Sequence, residues 1–221
     1  MQNKIDKNIK KVVYFIRHGQ SEHNIAPVFQ SPDSPLNELG RKQALSIAKR
    51  VSKIPFEALI SSPFARTKET ADIISKATGK EYELSDLFVE RVKPTIVNGK
   101  PYEDKEANEI WKEWEKSLYT RGVRVADGEN FDDLVTRADK ALKFLQDRPE
   151  KSLVVVTHGF FLRTLIARIL IGDFLSGEAF FRFQKSASME NTGITVIRYQ
   201  SSFEQTDNWR LWIYNDHAHL G

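Results

Sequence analysis

The chain has 221 residues, of which 40% are hydrophobic and 29% charged, so it is long enough for one large domain or two small ones. Its 33 Lys and Arg against 30 Asp and Glu leave a net charge of +3, which is too balanced for a protein that binds nucleic acid through bulk electrostatics. The absence of cysteine excludes disulfides, thiolate nucleophiles and zinc ribbons.

Apolar runs of strand length alternate along the chain with amphipathic segments of helical length. The hydroxyl of Ser62 and the ring of Pro63 are typical of the first residues of a helix. In chain order, the predicted elements are a strand over 11–16, a helix over 39–51, a strand over 56–60, a helix from Ser62 to about 78, a strand over 81–89 that ends near Phe88, a helix over 102–118, a helix over 131–145, a strand over 152–156, a helix over 159–171, and strands over 193–199 and 209–214.

Residues 91–130 interrupt this alternation. Turn signals at Lys93-Pro94, Asn98-Gly99 and Asp127-Gly128 surround a Trp-rich helical segment, so we expect this insertion to fold over the sheet edge as a cap. Elsewhere the alternation predicts an α/β three-layer sandwich, with a mostly parallel central sheet and helices on both faces. We expect residues 1–221 to form a single domain that carries the cap.

The polar residues that follow each predicted strand are the first candidates for a functional site. In an open α/β sheet, ligands bind beyond the carboxyl ends of the strands, so these residues would converge on one rim. They include two His, two Arg, one Glu and one Asn, a set that suits a phosphate dianion, because guanidinium groups match phosphate oxygens and imidazole can act as a nucleophile. They stand in the segments 17–24 (RHGQSEHN), 61–66 (SSPFAR), 90–91 (ER) and 157–159 (THG).

These four motifs, in this order and each after a predicted strand, resemble the histidine phosphatase superfamily, which includes the cofactor-dependent phosphoglycerate mutases. The resemblance extends over about residues 11–214 and includes VVVTHGFFLRTLI and the closing segment NTGITVIRY. It implies the following roles: His18 as the nucleophile that becomes phosphorylated, Arg17, Arg66 and His158 as the pocket for the phosphoryl oxygens, Asn24 as a further phosphate contact, Gly159 as the start of a helix whose amides add to the pocket, Glu90 as the acid and base, and Gln30 as a further candidate contact.

Each implied role has a physical requirement. For His18 to attack phosphorus in line, one ring nitrogen must be unprotonated, and we expect a backbone hydrogen bond to the other nitrogen to aim it. Two guanidinium groups and a protonated His158 would stabilise the transition state, so we expect neither a metal ion nor a cofactor. A protonated Glu90 would give its proton to the leaving alkoxide and then accept one from water.

Several residues keep a second interpretation. A lone His is more often structural or a metal ligand than catalytic, and an Arg is more often part of a surface ion pair. The remaining alternatives are as follows: Glu83, Glu103 or Asp86 as the acid in place of Glu90; Trp111 and Trp114 as the wall of a substrate cap or as core; Arg91 and Lys93 as a site for a second anionic group or as a solvated turn; and His217 and His219 as metal ligands or as a solvated tail. Residues 127–130 resemble the family's Pro-x-Gly-Glu-Ser stretch, with Asn130 in place of Ser.

We expect a metal-independent phosphomonoester hydrolase that acts on a small phosphorylated substrate, without a nucleic-acid or membrane partner. The first alternative is a 2,3-bisphosphoglycerate-dependent mutase, in which a Tyr-Gly pair follows Glu-Arg, whereas Val92-Lys93-Pro94 stands here. The second alternative is a non-catalytic phosphate-binding module. No apolar run reaches about 18 residues, so we expect a cytoplasmic protein, with a secreted chain that has lost its leader as the alternative.

Overall fold

One six-stranded sheet forms the centre of the protein, whose computed structural model describes residues 9–120, 122–201 and 207–221. Its strands are β1 Ile9–Arg17, β2 Ala58–Ser61, β3 Tyr82–Leu84, β4 Ser152–Thr157, β5 Ile194–Ser201 and β6 Asp207–Asp216. They lie in the order β3-β2-β4-β1-β5-β6, with parallel pairing from β3 to β1 and antiparallel pairing of β5 with β1 and β6. The prediction of a mostly parallel sheet is confirmed.

Helices cover both faces of this sheet. The described α-helices are α1 Glu22–Ile25, α2 Glu38–Val51, α3 Ala65–Thr78, α4 Lys105–Lys116, α5 Phe131–Asp147, α6 Gly159–Ile171 and α7 Gly177–Ser186. Val13, Phe15 and Val155 pack with α5 and α6, whereas Val154 and Val156 pack with α2 and α3, because successive strand residues point to opposite faces. The predicted three-layer α/β sandwich is therefore confirmed. None of these described helices is both long and apolar enough to cross a bilayer.

The predicted start of the second helix is wrong by two residues. The N-cap of α3 is Phe64 instead of Ser62, and its first helical residue is Ala65 instead of Pro63. The hydroxyl of Ser62 instead lies 2.8 Å from Nε2 of His158, so a tertiary contact takes the group that a local cap would have used. The predicted strand over 81–89 is also too long, since β3 ends at Leu84.

A buried turn explains that second error. Residues Asp86–Phe88 form a 3₁₀ turn, and the ring of Phe88 packs 6.3 Å from that of Phe15 between centroids. The apolar residues at 87–89 therefore reflect burial under the sheet and not strand pairing. Similarly, the helix predicted over 102–118 is shorter at both ends. It begins late because the Asp104 side chain accepts a hydrogen bond from the amide of Ala107 at 3.0 Å and caps α4, and it ends at Lys116.

The insertion at residues 91–130 packs on the loop that follows β1. The amide of Phe29 donates to the carbonyl of Lys100 at 2.9 Å, and the carbonyl of Phe29 accepts from the amide of Gly99 at 2.8 Å. Phe29, Val97 and Ala107 form a small apolar cluster of their own. The loop with the first motif and the insertion are therefore joined above the carboxyl ends of the strands. The single-domain organisation of residues 1–221 stays a prediction.

Candidate active site

His18 directly follows β1 and is almost fully buried. Its Nδ1 lies 2.6 Å from the carbonyl oxygen of Gly19, so this nitrogen carries the ring proton and leaves the lone pair on Nε2. The side-chain amide of Asn191 donates to the carbonyl oxygen of His18 at 2.8 Å and fixes the backbone at the same point. The expected backbone bond that aims the ring is present.

Two glycines allow the loop after His18 to rest on α2. A Cβ at Gly19 would lie 2.4 Å from the carbonyl oxygen of Gly40, and a Cβ at Gly40 would lie 1.9 Å from that of Gln20. Both distances are too short for any side chain, so the close approach of the two segments requires glycine at both positions. The amide of Gly19 also donates to Oγ1 of Thr70 at 3.2 Å, which ties the loop to α3.

The guanidinium group of Arg66 lies directly in front of the His18 ring. Its Nε donates to Nε2 of His18 at 3.1 Å, and its Nη1 donates to the carbonyl oxygen of Ser31 at 3.1 Å. Burial lowers the pKa of Arg66 to about 10, so the group is still charged at neutral pH. A phosphoryl oxygen that approaches Nε2 of His18 would accept the hydrogen bond from Nε of Arg66 in place of the imidazole. This charge-assisted bond is stronger than the bond to imidazole.

Arg17, the last residue of β1, brings a second guanidinium group to the site. Its Nη1 donates to the carbonyl oxygen of Met189, whereas its Nε is buried and has no hydrogen-bond partner among the described residues. A Cβ at Gly159 would lie 3.2 Å from that Nε, so the glycine leaves room for the guanidinium group. An unpaired buried donor is costly, and a phosphate oxygen would satisfy it.

His158 is the N-cap residue of α6, and its ring centroid lies 5.1 Å from that of His18. Its Nδ1 is also buried without a partner among the described residues. In the free site, burial, followed by the charges of Arg66, Arg137 and Arg17, holds the pKa of His158 well below 6.5. The protonated His158 expected in the transition state stays a prediction.

The same effects keep His18 neutral. Burial, with the nearby charges of Arg66 and Arg17, holds the pKa of His18 well below 6.5, although the bond to Gly19 acts in the opposite direction. A neutral imidazole with its proton on Nδ1 is the form that can attack phosphorus through Nε2.

The carboxylate of Glu90 lies at the N-terminus of α6. Its Oε1 accepts hydrogen bonds from the amides of Phe161 at 2.9 Å and Arg91 at 3.1 Å, and its Oε2 accepts one from the amide of Phe160 at 3.3 Å. Glu90 also lines, together with Arg66, a small cavity of about 30 Å³. The backbone and the helix start thus hold Glu90 facing the cationic side of the site.

The other carboxylates considered as the acid stand elsewhere. Glu83 pairs with Arg148 at the surface, and Glu103 is exposed. Asp86 lines a different hollow, beside Lys140 on α5. The structure therefore brings Glu90, and none of the three alternatives, to the small cavity that Arg66 lines.

An ion pair holds the segment that carries Glu90. The guanidinium group of Arg137 contacts both carboxylate oxygens of Glu129 at 2.7 Å, and it also donates to the carbonyl oxygens of Val89 at 2.8 Å and Glu90 at 3.3 Å. Oε2 of Glu129 accepts from the amide of Val92 at 2.8 Å. The sequence motifs do not indicate a role for Arg137, and the only signal for Glu129 is its place in the Asp127-to-Asn130 stretch.

Asn130, which stands where the family pattern has Ser, is the N-cap of α5. Its side chain accepts from the amide of Asp133 at 3.0 Å, and the carboxylate of Asp133 accepts from the amide of Asn130 at 3.0 Å. This reciprocal pair is a capping box, in which Asn serves as well as Ser. The departure from the family pattern therefore changes a helix cap and leaves the site residues in place.

Asn24 and Gln30 lie on the wall of a larger cavity of about 340 Å³ beside Glu90. Oδ1 of Asn24 accepts from the amide of Ser21 at 2.9 Å, and Nε2 of Gln30 donates to the hydroxyl of Ser21 at 2.6 Å. Both amides are therefore fixed by the loop after β1, and both remain predicted substrate contacts.

The two basic residues after Glu90 point to different places. Nη2 of Arg91 donates to the carbonyl oxygen of Trp114 at 2.7 Å and to Oγ of Ser117 at 3.1 Å, and its guanidinium carbon lies 3.5 Å from the Trp114 ring centroid. Arg91 therefore stabilises the insertion, and Trp114 belongs to the core. Lys93 instead donates to the carbonyl oxygen of Gln30, although both basic residues line both cavities.

The two C-terminal histidines differ, since His219 is packed against the protein and His217 is exposed. Nε2 of His219 lies 3.0 Å from the hydroxyl of Thr192, and Arg50 reaches Nδ1 of His219 at 3.5 Å. His217 is exposed and contacts the carbonyl oxygen of Asn215 at 2.8 Å. Among the described residues, no cluster of three His, Asp or Glu side chains could hold a metal ion, so the metal-ligand interpretation of this pair has no support.

Comparison with known proteins identifies the family. The model of the histidine phosphatase superfamily, branch 1, matches residues 13–211. A Photorhabdus laumondii protein described as a "probable phosphoglycerate mutase" is 31% identical over 212 residues, and the match covers 94% of both chains. An Escherichia coli protein with the same description is 29% identical over 215 residues, again with 94% of both chains covered.

Solved structures share the fold. The α-ribazole phosphatase of Shigella flexneri matches with a TM-score of 0.75 and 18% identity, over 93% of this chain and 96% of that one. A mutant phosphoserine phosphatase of Entamoeba histolytica matches with a TM-score of 0.73 and 24% identity, over 95% of this chain and 99% of that one. By the family model, and in agreement with this fold, the chain is a member of branch 1 of the histidine phosphatase superfamily, a superfamily of phosphoryl-transfer enzymes.

Proposed function

We propose that this protein is a metal-independent phosphomonoester hydrolase that acts through a phosphohistidine on His18. The observation that carries the proposal is the state of His18, a buried neutral imidazole whose Nδ1 donates to Gly19 and whose Nε2 lone pair faces the guanidinium group of Arg66. A nucleophilic nitrogen thus stands beside a fixed positive charge that a phosphate would neutralise.

The first half-reaction transfers the phosphoryl group to the enzyme. Nε2 of His18 attacks phosphorus, the ester P–O bond breaks, and Glu90 donates its proton to the departing oxygen, which leaves as an alcohol. Arg66 and Arg17 contact the equatorial phosphoryl oxygens and balance their charge. The buried Nε of Arg17 and Nδ1 of His158 have no protein partner in the described part of the chain and gain one in this complex.

The second half-reaction returns the enzyme to its starting state. The Glu90 carboxylate takes a proton from water, the water oxygen attacks phosphorus, the P–N bond breaks and its electron pair returns to Nε2. One carboxyl group therefore serves as acid and then as base. Because two guanidinium groups and the N-terminus of α6 already supply positive charge, the proposed chemistry needs no metal ion.

The charge of the larger cavity favours a hydrolase over a mutase. A mutase must hold a bisphosphate and keep its phosphoenzyme from water. Here Arg91, which is bound to the insertion, and Lys93 share the cavity wall with two carboxylates, Glu90 and Glu115, so the charges of the wall balance. A second phosphate would meet little net positive charge there. The mutase remains the second candidate because two curated relatives carry that description.

An assay with p-nitrophenyl phosphate in the presence of EDTA tests the proposal. Wild-type protein should turn over the substrate, and His18→Ala should lose activity by about 10⁴-fold or more, as loss of a nucleophile does in other enzymes. Glu90→Gln should reduce hydrolysis of an alkyl phosphate by about 10²- to 10⁴-fold, and reduce it much less for p-nitrophenyl phosphate, whose leaving group needs no proton. Glu103→Gln, at an exposed position, is the matched control.

The alternatives have distinct outcomes. Isomerisation of 3-phosphoglycerate that depends on 2,3-bisphosphoglycerate and exceeds hydrolysis would establish the mutase. A protein that binds vanadate but hydrolyses no phosphomonoester would establish the non-catalytic phosphate-binding module. Activity that EDTA abolishes would contradict the metal-independent mechanism.

A further inference from the structure

The cavity of about 340 Å³ opens next to the small cavity that Arg66 lines, since Glu90, Lys93 and Gln30 belong to the walls of both. A phosphomonoester held at Arg66 would therefore extend its leaving group into the larger space. The volume is within the usual range for small-molecule pockets and accommodates a group of the size of one sugar ring.

Aromatic side chains form one wall of this cavity. The ring centroids of Phe29 and Trp111 lie 4.9 Å apart, as do those of Phe29 and Tyr102. Trp114 is stacked on the Arg91 guanidinium group and buried, whereas Trp111 is partly exposed and Tyr102 is 47% exposed. Trp111 and Tyr102 are therefore the aromatic residues whose surfaces a ligand can cover.

Polar groups on the remaining wall suit hydroxyl groups better than a second charge. They comprise the amides of Asn24, Gln30 and Gln184, the carboxylates of Glu90 and Glu115, and the cationic groups of Arg91 and Lys93, so the charges of the wall balance. Carboxylates and amides accept hydrogen bonds from hydroxyl groups, and amides and ammonium also donate them. Glu115 would repel an anionic leaving group, and Lys93 would repel a cationic one.

We propose that the leaving group of the physiological substrate is an uncharged, polyhydroxylated ring, so that the substrate is a sugar monophosphate. One face of the sugar ring, made of C–H groups, lies on Trp111, and its hydroxyl groups bond the amides and Glu115. This inference rests on the proposed function, because it takes the phosphoryl group to bind at Arg66 and His18.

The test compares substrates that differ in one property. Glucose 6-phosphate and sorbitol 6-phosphate have the same number of carbons and a primary phosphate, but only the first has a ring. 6-Phosphogluconate adds a carboxylate, and p-nitrophenyl phosphate reports the phosphoryl chemistry alone. We expect kcat/KM for glucose 6-phosphate to exceed the value for sorbitol 6-phosphate by about tenfold, the size of a good aromatic contact, and the value for 6-phosphogluconate by more.

Variants locate the effect. Trp111→Ala should bring the ratio of kcat/KM for the cyclic and acyclic substrates close to one, and Trp111→Phe should restore most of it. Trp212→Ala, at an exposed tryptophan on β6, is the matched control and should leave the ratio unchanged. Thermal unfolding of each variant shows whether the fold is intact. Glu115→Lys should shift the preference towards 6-phosphogluconate, because it replaces a repelling charge with an attracting one.

Two results would overturn the inference alone: equal kcat/KM for cyclic and acyclic substrates, or a preference of wild-type protein for 6-phosphogluconate, in each case with p-nitrophenyl phosphate turned over. A ratio that Trp111→Ala leaves unchanged while its fold is intact would also overturn it. Failure to hydrolyse p-nitrophenyl phosphate as well would overturn the proposed function and, with it, this inference.

Discussion

The protonation states of the two histidines depend on charges that only the tertiary structure brings together. Position after a strand predicts that His18 and His158 meet, and their rings do lie 5.1 Å apart. In the free protein, burial and the guanidinium groups around His158 favour its neutral ring, and the positive charge expected in the transition state stays a prediction. A bound phosphate dianion would raise the pKa of His158.

Because Lys93 loses its charge at alkaline pH, substrate capture should weaken there. Burial first, and then the charge of Arg66, lowers the pKa of Lys93 to about 8, although Glu90 acts in the opposite direction. Its ammonium group is therefore lost as the pH rises through about 8 in the free enzyme. Because kcat/KM reports the free enzyme, we expect kcat/KM for a phosphomonoester to fall above this pH.

Two lysine variants test this assignment. Lys93→Arg should remove the alkaline fall, because a guanidinium group keeps its charge to a much higher pH. Lys100→Arg, at an exposed lysine paired with Asp104 at 3.4 Å, should leave the profile unchanged. An alkaline fall that persists in Lys93→Arg would assign the titration to another group.

At the scale of elements, α5 holds the segment that carries Glu90. Arg137 on α5 joins Glu129 to the carbonyl oxygens of Val89 and Glu90, and the two charged side chains are only 12% and 15% exposed. Arg137→Met would leave a mostly buried carboxylate without its partner, so we expect a loss of about 3 kcal/mol in the free energy of unfolding. It should also lower kcat more for an alkyl phosphate than for p-nitrophenyl phosphate, because the proton donor would be displaced.

A surface ion pair between Asp133 of the same helix and Arg124 of the preceding loop provides the control. Arg124 contacts Asp133 at 2.6 Å, with the two side chains 53% and 30% exposed. Arg124→Met should cost less than about 1 kcal/mol, as exposed ion pairs do, and should not change kcat. Urea unfolding and the two assays measure both effects. Equal losses of stability in the two variants would show that the Arg137 pair has no special role.

Sequence patterns predict the elements with long buried stretches and fail where a tertiary contact replaces a local one. β4 and α6 occur close to their predicted positions, because apolar runs of strand length and of helix length are local signals. The hydroxyl of Ser62 looks like a helix cap in the sequence, but it contacts His158 across the fold. No local pattern could show that the apolar residues up to Phe88 form a buried turn.

At the scale of the whole molecule, the buried neutral histidines should make the free energy of unfolding decrease as the pH falls. The pKa values of His18 and His158 are lowered well below 6.5 in the folded protein, whereas in the unfolded chain they are ordinary. As the pH falls below 6.5, the unfolded state takes up protons that the folded state does not. Stability should therefore fall with pH, by up to about 1.4 kcal/mol per pH unit for each histidine.

Urea unfolding between pH 6.5 and 5 measures this change of stability with pH, because carboxylates titrate mainly below that range. His18→Asn should reduce the slope, because it removes one of the two sites of proton uptake. The packed His219, whose pKa is also lowered by burial, adds in the same direction, so His219→Asn gives a second comparison. A slope near zero in wild-type protein would mean that the buried histidines are already protonated in the folded state.

The sequence predicts the arrangement of the layers best and the path of the insertion least. Alternating strands and helices specify three layers whatever the details of their ends. The path of residues 91–130 depends on long-range contacts such as the bond from the Phe29 amide to Lys100, and on the stacking of Arg91 on Trp114. Neither contact has a local sequence signal.

Rapid quench of wild-type protein with substrate, followed by mass spectrometry of the peptide that contains His18, tests the phosphohistidine directly. The quench must be alkaline, because the P–N bond of phosphohistidine is labile in acid. We predict a transient mass increase of one phosphoryl group on His18 and on no other residue, and no such species in His18→Ala. Turnover of a phosphomonoester by His18→Ala at the wild-type rate, or a phosphoryl group on another residue of wild-type protein, would show that His18 is not the nucleophile.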